Sequence, residues 1–210
     1  MIKVEINDRE VIARIEEAAS KLENMRPLFQ RIAGVLEAET EANFAAQGRP
    51  HWAPLSKATI AARMKRNKGS SVLKILQDRG ILASSISTAF GKDFAQIGVG
   101  GAARDYAAIH QFGGTIQRVP QSRKTRLRTD AKGNLVRQGD EGSAKGRAVF
   151  AKDRHKRARE QWSTVGPYQI TIPARPYLPF TGSGASAQLQ PEAARSVLDA
   201  LSRMLADALG

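Results

Sequence analysis

The sequence predicts an α+β fold: helices packed on a small, mostly antiparallel sheet, with a long basic loop or hairpin arm. Three observations predict it. Apolar residues recur at three- and four-residue spacing near both ends of the chain, alternate with polar ones in several short central segments, and lose all pattern between Thr115 and Trp162. At 210 residues with 41% hydrophobic content the chain can bury a real core, and its length suits one domain. The expected organisation is a single domain over 1–210, with 116–161 as a basic insertion arm and 190–210 as a C-terminal helix.

Ile2, Val4 and Ile6 alternate with Lys3 and Glu5, the period of a half-buried strand. Asn7, with Glu10 three residues on, resembles a capping box. It opens a helix in which Val11, Ile12, Ile15, Ala18, Ala19 and Leu22 share a face, ending near Met25. A second helix starts at Pro27, where the missing N–H costs nothing, and turns Leu28, Ile32, Val35, Leu36 and Ala42 inward. Glu39 interrupts that stripe; Gly48 and Pro50 close the helix. Ser56-Lys57-Ala58-Thr59 opens a short basic helix to about Arg66, and Asn67 to Ser71 reads as a loop. Val72 to Leu76, Ile86 to Phe90 and Ala95 to Val99 read as strands, the last two joined by a turn at Gly91-Lys92-Asp93. Asp105 to Phe112 suits one or two helical turns, stopped by Gly113-Gly114. Tyr168 to Ile172 alternates as a strand before Pro173. Pro191 then starts a helix with Ala194, Val197, Leu198, Leu201, Met204, Leu205 and Ala208 on one face.

Charge is distributed unevenly. The chain carries 33 lysines and arginines against 20 acidic residues, a net +13, which suggests a polyanionic partner. Ile116 to Glu160 alone holds 14 basic and 5 acidic residues, so +9 of the total lies in one segment and the rest is nearly balanced. No stretch approaches the roughly 18 to 20 apolar residues of a membrane span, and the first ten residues lack the apolar run of a signal peptide. The expectation is a soluble protein made in the cytoplasm with no membrane partner.

Chemistry is hard to build from this residue inventory. Cysteine is absent, which removes thiolate nucleophiles and Cys-containing metal sites. His51, His110 and His155 stand in three unrelated contexts with no paired-histidine spacing. Gly98-Val99-Gly100-Gly101 follows a strand but lacks the third glycine of a dinucleotide site, and no Gly-Lys-Ser/Thr phosphate loop occurs. Ser84, Ser85 and Ser87 sit in no nucleophile elbow. The sequence therefore predicts no catalytic residue, no metal and no cofactor.

The basic segment leaves three readings open: phosphate contact, pairing with an acidic neighbouring subunit, or a solvated arm. Its candidates are Arg123, Lys124, Arg126 and Arg128, followed by Lys152, Arg154, Lys156 and Arg157. If the first group is extended, Arg126 and Arg128 fall on one side of Leu127. Ala148 to Trp162, around the second group, reads as potentially helical. Without interleaved aromatics, any nucleic-acid contact would be to the backbone and independent of sequence. Further on, three prolines within Pro173 to Pro179 make a stiff extended stretch presenting Arg175 and Tyr177. That stretch reads either as a rigid connector to the last helix or as an inter-subunit contact.

Four blocks carry a resemblance: Trp52-Ala-Pro-Leu-Ser-Lys-Ala-Thr59, Ile75-Leu-Gln-Asp-Arg-Gly-Ile-Leu82 with Ser85-Ile86, Tyr106-Ala-Ala-Ile-His-Gln-Phe-Gly113, and Ile172-Pro-Ala-Arg-Pro-Tyr-Leu178. In this order they resemble the phage virion morphogenesis family, the tail-completion proteins of P2-like and Mu-like tailed phages, over about residues 25 to 182. The resemblance implies a small α+β structural subunit that assembles as a ring, expected to be a hexamer, in the neck of the virion between head connector and tail. It brings no catalytic residues. Trp52, His110, Phe112, Arg175 and Tyr177 are the candidate subunit-interface residues. The stretch from Gln117 to about Gln161 is longer and more basic than the family's usual link, so its role rests on charge alone, with double-stranded phage DNA or a neighbouring ring as its partner. A free-standing, sequence-independent DNA-binding protein is the rival expectation, and an enzyme such as a nuclease or transferase the second.

Overall fold

The computed structural model describes residues 8–21, 24–69, 73–139, 146–183 and 186–209, excepting the side chains of 21, 208 and 209. In chain order its elements are helices α1 (Arg9–Lys21), α2 (Arg26–Ala45), α3 (Lys57–Arg66) and α4 (Ile81–Ser84), strands β1 (Ile86–Phe90) and β2 (Ala95–Val99), and helix α5 (Arg104–Phe112). Strands β3 (Gly114–Arg118), β4 (Gln121–Arg128), β5 (Ala158–Val165), β6 (Tyr168–Ile172), β7 (Phe180–Thr181) and β8 (Gln188–Leu189) follow, and helix α6 (Pro191–Leu209) ends the described chain. The fold is α+β. Its strands form four two-stranded sheets, β1-β2, β3-β6, β4-β5 and β7-β8, where the sequence suggested one small sheet.

The expected strand Ile2 to Ile6 and its Asn7 cap lie outside the described residues. Within them, Asp8 accepts the Val11 N–H at 3.3 Å and serves the start of α1. At α3 the Ser56 hydroxyl accepts the Thr59 N–H at 3.1 Å, as its Ser-x-x-Thr spacing predicts. Two expectations need correction. Residues 73–76 form no strand: Leu76 has φ +59°, outside the extended region, and the Ile75 N–H is taken by the Gln47 side chain at 2.6 Å. Val72 itself is outside the described residues. Ala148 to Trp162 is not helical either, because from Ala158 onward it pairs with β4 as β5, and strand hydrogen bonds replace helical ones.

The chain divides into two compact units, Met1–Gly114 with Thr171–Gly210, and Thr115–Ile170. In the first, α1, α2 and α6 bury one apolar cluster around Val11, Leu28, Ile32, Leu36, Val197 and Leu201, with Phe90, Ala95 and Ile97 of the β1-β2 hairpin against it. Each fully buried leucine here is worth about 2 kcal/mol relative to exposure. A second cluster gathers Phe44, Trp52, Leu82, Val99, Ala107, Tyr177 and Phe180. Glu39, which breaks the apolar stripe of α2, is accounted for between them: its carboxylate takes Arg49 at 2.6 Å and the Ser196 hydroxyl at 2.6 Å.

The second unit is built differently. β4 and β5 run antiparallel over eight residues each, with Arg126 opposite Glu160 and Lys124 opposite Trp162. Beyond them, backbone bonds from Arg128 to Val149 and from Ala151 to Arg126 lay 149–151 along the other edge of β4. Asp130 closes a tight turn by accepting the N–H groups of Lys132 and Asn134, and these bonds, the Asn134 N–H foremost, lower its carboxyl pKa. Among its described residues this unit buries none.

Candidate interaction surfaces

The four sequence blocks meet around the proline-rich stretch. Its backbone cannot join a ladder, so side chains from elsewhere satisfy it. Gln111 is the main clamp: its amide oxygen accepts the N–H groups of Tyr177 and Leu178, both at 3.0 Å, and its amide nitrogen donates to the Phe180 carbonyl at 3.0 Å. Asn43 donates to the Tyr177 carbonyl at 3.2 Å and to Gln190 at 2.8 Å, and Arg49 in turn donates to Asn43. The Trp52 indole N–H reaches the Pro176 carbonyl at 3.1 Å. Arg175 donates to the carbonyls of Ala53 and Pro54 at 3.0 and 3.2 Å, while its own N–H goes to the His110 carbonyl. Burial, and then the charge of Arg63, lower the Arg175 pKa. Gly113 has φ +72°, and a Cβ there would strike the backbone of Ala174. In the remaining block, Gln77 donates to the Phe44 carbonyl and Asp78 pairs with Arg66.

The five residues expected at a subunit interface are thus placed as follows. Trp52, Arg175 and Tyr177 are buried within this chain, and the Tyr177 hydroxyl donates to the Ala107 carbonyl. His110 and Phe112 are half-buried, His110 edge-on to Tyr106 and Phe112 near Phe180. Burial, and then the charge of Arg175, hold the His110 imidazole below its ordinary pKa. Gln111 and Asn43 were not singled out by sequence reasoning, although Gln111 lies inside one of the blocks. Among the described residues, no cluster of three or more acidic or histidine side chains could hold a metal, and no helix is long and apolar enough to cross a membrane.

The eight cations named from the sequence all lie in the second unit, half-buried at Arg126 and exposed elsewhere. Residues directly opposite in an antiparallel pair share a face. Lys124, Arg126 and Arg128 therefore share one face with Glu160, Trp162 and Thr164, and Arg123 falls on the other with Thr125, Leu127, Arg159 and Ser163. On the first face, Glu160 takes Lys124 at 2.7 Å and Arg126 at 4.0 Å, and Asp153 takes Arg126 at 3.3 Å. The Lys124 hydrogen bond, and then the charge of Arg126, lower the Glu160 pKa. Lys152, Arg154, Lys156 and Arg157 lie in the irregular run before β5. Within this unit the His155 pKa is lowered by desolvation and then by the charges of Arg128, Arg154, Lys152 and Arg126.

With this geometry established, comparison with known proteins gives the lineage. The profile of the phage virion morphogenesis family matches residues 6–206. The chain belongs to that family. Two of the similar proteins belong to phage Mu or a Mu-like prophage. Mu-like prophage FluMu G protein 2 of Haemophilus influenzae is 32% identical over 119 residues, covering 56% of this chain and 75% of that protein. The putative capsid assembly protein G of Escherichia phage Mu is 34% identical over 117 residues, 52% of this chain and 72% of that one. No solved structure matches. The family is one of phage structure and assembly, so this chain has a structural role in building the virion, among other virion proteins. The four sequence blocks coincide with the clamp around Arg175 to Phe180, within a family match that runs over nearly the whole chain.

Proposed function

We propose that this protein is a structural subunit of the head-tail junction, a tail-completion, tail-terminator or stopper component, which closes into a ring between head connector and tail. Its work there is mechanical: shape and charge match two neighbours, and the basic second unit reaches phage DNA in the channel. One observation carries the reading furthest. The second unit has no buried side chain among its described residues, and Phe150 (67% exposed), Trp162 (66%) and Val119 (70%) stand in solvent. A small paired hairpin of this kind is marginal alone, and neighbours in an assembly would supply its cover. Heterologous contacts that close make a ring of the required kind.

Native mass spectrometry of the purified chain tests this. The expected result is a closed oligomer, with six copies of the 22.8 kDa chain as the leading species. A stable monomer that still binds duplex DNA with a steep salt dependence would support the free-standing DNA-binding alternative and overturn the ring.

A further inference from the structure

Resting on the reading that the second unit meets DNA, we infer that only one face of the β4-β5 ribbon holds the phosphate backbone: the face of Arg123, Arg159 and Arg157, not the face of Lys124, Arg126 and Arg128. Net charge treats all these cations alike; the register separates them. Lys124 and Arg126 share Glu160, and Arg126 also has Asp153, so a phosphate arriving there must compete with carboxylates already in place. On the opposite face the paired positions are Gln121, Arg123, Thr125 and Leu127 against Arg159, Gln161, Ser163 and Val165, with no carboxylate among them. Arg157 lies one residue before β5, and its carbonyl accepts the Thr129 N–H at 3.2 Å, which extends the β4-β5 register to the pair 129 and 157.

The composition of this face suits a nucleic-acid backbone. Arginine, threonine, serine and glutamine are among the side chains that bond phosphate oxygens, and all four occur on it. At about 3.3 Å per residue, Arg123 and Arg159 lie roughly 13 Å apart along the ribbon and Arg157 about 7 Å further. Such a row covers about six base-pair rises of duplex. Over Gln121 to Thr125 the ribbon is two-stranded, one of the elements that the major groove admits. The occupant this face fits is therefore duplex DNA, held without sequence preference.

Two triple variants of the full chain test the assignment while removing equal charge. R123S/R157S/R159S strips the acid-free face, and K124S/R126S/R128S strips the other; circular dichroism checks that each stays folded. Binding of a mixed-sequence duplex of about 30 base pairs is followed by fluorescence anisotropy across a salt series. The first variant should lose on the order of 30-fold in affinity near 0.15 M salt, and its salt slope should fall by about 2 to 3; the second should change by less than about threefold. Acrylamide quenching of the unmodified chain gives a readout independent of any variant. Trp162 is on the far face from the expected DNA and Trp52 is buried, so quenching of the exposed tryptophan should persist in the complex. Equal losses in the two variants, a larger loss in the second, or shielding of Trp162 by DNA overturns the face assignment alone. Failure of the unmodified chain to bind duplex, or equally tight binding of poly-L-glutamate, overturns the DNA reading beneath it.

Discussion

Gln111 shows how much of this fold rests on single polar side chains. It is 2% exposed and serves three backbone groups, two at the end of the proline-rich stretch and one at the start of β7. Truncation to alanine leaves those groups buried and unpaired, each costing about 1 to 3 kcal/mol, so Gln111→Ala should lower the stability measured by urea unfolding by about 3 kcal/mol or more. His110, one residue earlier, gives the fold a pH dependence. Burial and the neighbouring Arg175 favour its neutral form, so its folded pKa lies below the ordinary 6.5. The unfolded chain then takes up the proton first as pH falls, so the associated stability is complete above about 6.5 and is lost as pH drops through that value. The urea midpoint of the unmodified chain should therefore fall more between about pH 7 and 5 than that of His110→Gln, and parallel profiles would count against the argument.

At the scale of elements, the two units differ in what holds them. The helices α1, α2 and α6 pack buried apolar faces together. The β4-β5 ribbon relies on backbone bonds and on exposed ion pairs such as Lys124 with Glu160, which are worth little in water. In hydrogen exchange, amides of β4 and β5 should therefore exchange well before those of α2 and α6 in the isolated protein. Incorporation into an assembly should slow the ribbon selectively; ribbon amides as protected as α2 in the isolated chain would show that its cover comes from elsewhere.

For the whole molecule, the net charge of +13 is a misleading single number. Most of it resides in one segment, and part of that segment's charge is already answered by Glu160 and Asp153. The same holds for the apolar surface: Phe150, Trp162 and Val119 concentrate in the unit that buries no side chain among its described residues. Cation excess and uncovered apolar area in one place are what the proposed contact of this unit with its neighbours rests on. The ring expected by mass spectrometry belongs to this scale, since its closure would depend on contacts between copies and not on any one residue.

The sequence by itself determined the features that depend on neighbours a few residues away. The second and last helices, the hairpin of Ile86 to Val99, the strand Tyr168 to Ile172 and the Ser56 cap follow from periodicity and local capping, and the family follows from four blocks in order. Tertiary structure decided what depends on partners far along the chain. Val72 to Leu76 looked like a strand but loses its N–H to Gln47, and Ala148 to Trp162 looked helical until β4 claimed its last residues. Trp52, Arg175 and Tyr177 had the residue types of interface anchors; the fold spends them on its own proline-rich stretch, whose polar groups had to be satisfied somewhere. Which face of the basic ribbon carries uncompensated charge was decided the same way, because pairing register between β4 and β5 is a long-range property and alternation alone does not say where the carboxylates land.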